Sequence, residues 1–163
     1  MGWVTLSLRR MEDQVLHNNL QLELLGISRQ RQQLARNKQY QSLVINNERK
    51  SAINNDSTKT TKDSAYQAYM DYSKQEDKDS GQLTALQTSY MEASQAYEQQ
   101  KNNLNDMYDQ RLQSLEEETT MEENFLDMQQ TEIETQLEAI TQELQAVKQQ
   151  VSTDIQNSTI KLG

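Results

Sequence analysis

Apolar residues recur at helical spacing through most of this chain. Ile133, Leu137, Ile140, Leu144, Val147 and Val151 step 4-3-4-3-4, the a/d seam of a helix that packs along one line. Upstream, Leu83, Leu86, Tyr90, Ala93, Tyr97, Gln100, Leu104 and Met107 keep the same alternation. Between these runs, Leu104, Tyr108, Leu112 and Leu115 step 4-4-3, a stutter that locally unwinds a supercoil. Thr119 and Glu122 then hold seam positions until Leu126 resumes the pattern. The spacing predicts one helix over 82–155, about 110 Å long at 1.5 Å per residue. A helix of that length needs a partner to cover its stripe.

The N-terminal segment carries two stripes. Leu8, Met11, Val15, Asn18, Leu22 and Leu25 step 3-4-3-4-3, and Leu16, Leu20, Leu24, Ile27 and Leu34 line a second face beside them. Together with Trp3 in the first turn, they make residues 4–27 apolar over much of the circumference, as buried helices are. Gly26 lowers helix stability without ending the helix. The strongest break is Asn54–Thr61, where Asn, Asp, Ser and Thr side chains compete with the backbone for hydrogen bonds. Asp63 is then the expected cap of a short helix carrying Tyr66, Tyr69, Met70 and Tyr72, and Asp79 or Ser80 the cap of the last helix. The expected organisation is an N-terminal helix within 1–53, a polar linker with a short helix over 54–81, and a C-terminal coiled-coil helix in 82–163. Helices are predicted near 4–53, 63–78 and 82–155. The fold class is all-α, an elongated antiparallel helical hairpin with long N- and C-terminal helices.

Composition sharpens this picture. Apolar residues make up 34% of the 163, below the roughly 45–50% of an ordinary globular domain, which suits a long thin core. Proline is absent, so nothing obliges the helices to stop. Cysteine is also absent and His17 is the single histidine, which removes disulfides, zinc–thiolate and multi-histidine metal sites, and cysteine nucleophiles. The four glycines lie too far apart for a phosphate-cradling loop. Neither an enzymatic activity nor a cofactor is expected, and a net charge of −9 argues against nucleic acid as a partner.

Charge is unevenly distributed, net +4 through residue 55 and net −13 beyond it. Residues 112–147 hold ten acidic side chains and no Lys or Arg. On one helix these point round the cylinder, so an electrostatic partner suits them better than a metal ion. The expected complement is the basic segment containing Arg29, Arg31 and Arg36, which an antiparallel hairpin, within one chain or between neighbours, brings toward Glu116, Glu117 and Glu118. Arg9, Arg10, Glu12 and Asp13 interrupt the apolar start, so neither a Sec signal nor a spanning helix is expected. The location expected is either cytoplasmic or cell-surface by a signal-less route. Trp3, near Arg9 and Arg10, is the residue through which membrane contact would occur, with docking on a protein neighbour the favoured alternative.

Apolar helical ends around a polar middle, with Asn18, Asn19 and Leu20 leading into a helix through Leu34, resemble flagellin and the filament proteins of type III secretion systems. Ala35, Arg36 and Asn37 follow Leu34 where flagellins carry a Ser-Gly step, so the physical design is what carries over. The resemblance implies a structural subunit of a filament, tube or fibre whose partners are other copies of itself and export or assembly machinery. The assembly interface expected is Trp3, Leu8, Met11, Val15, Leu16, Leu20, Leu22, Leu24, Leu25 and Ile27 with the C-terminal seam Ile133, Leu137, Ile140, Leu144, Val147 and Val151. The alternative is a coiled-coil stalk or adaptor in a larger secretion, motor or virion assembly, for which one stripe per helix suffices.

Overall fold

The computed structural model describes residues 2–162. Among them the chain is all-α, with α1 Trp3–Asn54, α2 Ser57–Ser73 and α3 Ser80–Leu162, and no strand. The first break is shorter than the polar sequence suggests. Asp56, not Asp63, caps α2. It takes an extended conformation (φ −66°, ψ 136°), accepts a 2.9 Å hydrogen bond from the Thr58 N–H, and also accepts from the Thr58 hydroxyl. With the first turn satisfied, the residues expected to disrupt the helix join it. The Thr61 hydroxyl donates to the Ser57 carbonyl at 3.0 Å, and Asp63 pairs with Lys59 one turn earlier at 3.3 Å.

Contacts group the described chain into two units, residues 37–118 and the remainder. In the first, residues of α1 and α2 both run antiparallel to α3. Lys38 pairs with Glu116 at 2.7 Å and Glu48 with Arg111 at 2.6 Å, and Arg49 pairs with Asp109. Along α2, Gln100 reaches Asp56, the Lys62 ammonium lies 4.5 Å from the centre of the Tyr97 ring, and Tyr66 and Tyr90 have ring centroids 5.2 Å apart. The chain reverses at 74–79, after α2. There the Asp79 N–H donates to the Tyr72 hydroxyl at 2.9 Å, and the Asp79 carboxylate accepts from the Gly81 N–H at 3.1 Å. The buried centre is Ile45, Tyr108 and Leu115, flanked by Ala52, Leu104 and Leu112. Leu104, Tyr108, Leu112 and Leu115 are the stuttered run, and all four face inward while Met107 is exposed.

In the other unit, the N-terminal part of α1 lies antiparallel to the C-terminal part of α3. Arg9 pairs with Glu143 and Arg31 with Asp127. Its core is Leu6, Leu20 and Ile27 from α1 with Thr119, Leu126 and Val147 from α3. Thr119 is inward as its seam position requires, whereas Glu122 is exposed. α1 continues through Gly26, and α3 extends to Leu162, past the predicted end at 155. That extension is held by local bonds, the Ser158 and Thr159 hydroxyls donating to carbonyls one turn back.

Hydrogen bonds from Thr58, hydroxyl first and backbone second, hold the Asp56 carboxyl below the usual carboxylate pKa, with Gln100 adding to the effect. The stability this cap contributes is therefore present at neutral pH and is lost as pH falls through that lowered pKa. Asp56→Ala should lower the thermal midpoint at pH 7, Asp56→Asn should retain most of it, and the gap between wild type and Asp56→Ala should narrow in strong acid. Equal midpoints for wild type and Asp56→Ala at pH 7, followed by circular dichroism, would refute the role of the cap.

Candidate assembly surface

A helix with two apolar stripes can turn one of them to a single partner. Here α3 meets the line Leu6, Asp13, His17, Leu20, Leu24, Ile27, Arg31 and Leu34, all buried or half-buried. From Asp13 onward these residues step 4-3-4-3-4-3, so the seam has regular a/d spacing with polar residues at several of its positions. Of the residues predicted for the interface, Leu20 and Ile27 are buried, Leu24 is half-buried, and the C-terminal set Ile133, Leu137, Ile140, Leu144, Val147 and Val151 all turn inward.

The first stripe points the other way. Its apolar residues Leu8, Met11, Val15, Leu22 and Leu25 are exposed, Met11 at 66% and Leu22 at 65%, as are Trp3 and, from the second stripe, Leu16. A shallow groove of about 450 Å³ runs over this face, lined by Leu8, Met11, Glu12, Val15, Leu16 and Asn19. Single exposed apolar residues are ordinary, but a contiguous row along successive helical turns is the mark of an interaction surface.

The inward seam makes the contrast sharper. Asp13 Oδ2, His17 Nδ1 and Arg31 Nε are shut off from solvent with no hydrogen-bond partner among the described residues, an arrangement that costs stability. Burial of the Asp13 carboxyl raises its pKa above the ordinary value. Glu143 across the seam pushes the same way, Arg9 opposes them, and Glu12 adds to the rise. Polar groups therefore sit in the seam while five large aliphatic side chains on the neighbouring face meet water.

The charge pairing differs in register from the sequence expectation. Arg31 meets Asp127, about ten residues beyond Glu117, because the reversal falls at 74–79 and α2 lengthens the first arm. Glu116 instead takes Lys38. Arg29 and Arg36 are exposed and, among the described residues, have no ion pair within α1–α3, while Glu117 and Glu118 lie on the exposed side of α3. Sequence reasoning passed over Asp13 and Arg31 as seam residues because it followed the apolar stripes. The regular spacing from His17 through Leu20, Leu24, Ile27 and Leu34 was the available signal. No helix among the described residues is long and apolar enough to cross a membrane. The chain matches no protein-family model, no curated protein and no solved structure.

Two outcomes test the orientation of α1. Leu20→Ala, at a position 3% exposed, should cost about 2–4 kcal/mol of unfolding free energy in urea titration. Leu22→Ala should stay within about 0.5 kcal/mol for the monomer. Reversed sizes would mean that the other stripe faces α3. Separately, a carboxyl with a raised pKa favours folding below its ordinary pKa and loses that contribution as pH rises through the raised one. Asp13→Asn should accordingly be more stable than wild type at pH 7, with the gap closing in acid. An unchanged urea midpoint at pH 7 would show that the ionised carboxylate carries no penalty there.

Proposed function

We propose that the chain is a structural subunit of a helical protein polymer, a filament, tube or fibre, that assembles through helix packing against other copies of itself. One observation carries the reading, the exposed stripe Leu8, Met11, Val15, Leu22 and Leu25 on α1, beside a seam already occupied by α3. Burying one such side chain gains about 1.5–3 kcal/mol, so covering the row repeatedly along a polymer supplies a driving force that the isolated chain leaves unused. The architecture-level resemblance to flagellin-like subunits supports the same reading. We assign the protein no catalytic role and no cofactor.

The stalk or adaptor alternative draws on a different observation, the ion pairs that close each antiparallel unit within one chain. A stalk whose stripes are all satisfied stays a discrete monomer or dimer. A polymer subunit grows with concentration. Replacing Leu8, Met11 and Val15 together by Gln separates the two, because Gln is a good helix former and these side chains make no seam contact. Electron microscopy over a concentration series should show ordered fibres or tubes for wild type and none for the triple variant, with helicity equal by circular dichroism. Wild type that remains monomeric or dimeric throughout would refute the polymer.

A further inference from the structure

We infer that the outward face of α1 over residues 22–36 docks on the outward face of α3 over residues 121–132 of a second copy, with the two segments parallel. This rests on the polymer reading above and names the second surface that the reading requires. The α1 face presents Leu22, Leu25, Arg29 and Arg36 at 3-4-7 spacing, all exposed. The α3 face presents Met121, Phe125, Met128 and Glu132 at 4-3-4 spacing, also exposed. Three of these four are large apolar side chains, at 66%, 57% and 68% exposure. Each segment thus lies on one helical face turned away from the seam that joins α1 to α3.

The two faces match in spacing and in charge. Arg36 follows Arg29 by seven residues, and Glu132 follows Phe125 by seven. Aligned in parallel, Leu25 meets Met121, Arg29 lies over the Phe125 ring, and Arg36 reaches Glu132. An arginine over an aromatic face and an arginine–carboxylate pair are both favourable contacts, and the guanidinium suits each. Neither guanidinium has a carboxylate partner among the described residues of its own chain, whereas Arg9, Arg31 and Arg49 do. The surroundings agree, since residues 112–147 carry ten acidic and no basic side chains. The like-charged alternative, α3 on α3, would set this acidic face against itself.

Donor and acceptor are different surfaces of one chain. The contact is therefore heterologous, and a heterologous contact that does not close into a ring propagates as an open chain of copies. Each copy offers α1 to one neighbour and α3 to another.

The test uses the full chain in low-salt buffer, where exposed pairs are least screened, with sedimentation velocity over a concentration series. Arg36→Glu and Glu132→Lys should each raise the concentration at which higher-order species appear by about fivefold, and the double variant should return it to near the wild-type value. Phe125→Ala should raise it without charge rescue, and Lys50→Glu, an exposed basic position off both faces, should leave it unchanged. All variants should keep wild-type helicity, since every position is exposed. Wild type that stays monomeric overturns this pairing together with the polymer reading. Wild type that assembles while Arg36→Glu, Glu132→Lys and Phe125→Ala assemble alike overturns the pairing alone. Charge rescue in a series that stops at dimer supports the pairing and overturns the polymer.

Discussion

A helix can press only one line of side chains against a single partner, and most of what is distinctive in this protein follows from that. α3 has one good line in its C-terminal part, Ile133 through Val151, and it faces inward. α1 has two, and the pairing with α3 takes the one containing Leu20 and Ile27. That choice carries Asp13, His17 and Arg31 into the seam and leaves Leu8, Met11, Val15, Leu22 and Leu25 in water. The exposed apolar face of α1 is thus a by-product of the surface through which the molecule holds itself together.

Charge decides how the helices align more than how strongly they hold. The cross-helix pairs are mostly exposed, and exposed pairs contribute little each. Their value lies in register, because a basic α1 and an acidic α3 that slid by a turn would set arginines against apolar residues and lose several pairs at once. Within each unit the partners descend, Arg9 and Arg31 meeting Glu143 and Asp127 in one, Lys38 and Arg49 meeting Glu116 and Asp109 in the other, which is the antiparallel alignment written in charges.

The helical class and the C-terminal seam were legible in the sequence because unbroken 3-4 spacing and the absence of proline leave few alternatives. The stutter around Tyr108 was equally readable. The first break was overestimated, since counting polar residues over Asn54–Thr61 missed that a single cap, Asp56, lets the serine and threonines behind it turn helical. The charge register was misplaced for the same reason. With α2 added to the first arm, every partner on α3 moves outward. The inward face of α1 was the hardest feature to read, because hydrophobic periodicity marked two stripes and the seam position of Asp13 and Arg31 is visible only from their spacing to Leu20, Leu24 and Ile27.

The turn at 74–79 also sets an order of events in folding. Contacts widen steadily in sequence separation with distance from it, from 7 residues for Tyr72 with Asp79, to 44 for Asp56 with Gln100, 63 for Glu48 with Arg111, 96 for Arg31 with Asp127 and 134 for Arg9 with Glu143. Closing a loop costs more entropy the longer it is, but each contact formed shortens the loop the next must close. Folding therefore zips outward from the turn at 74–79, and the first residues to make lasting contacts are those beside it. The segment bearing the free stripe is the last to find its place on α3. Until it does, both of its apolar faces stay in water, so the final step of folding covers one of them and leaves the other bare.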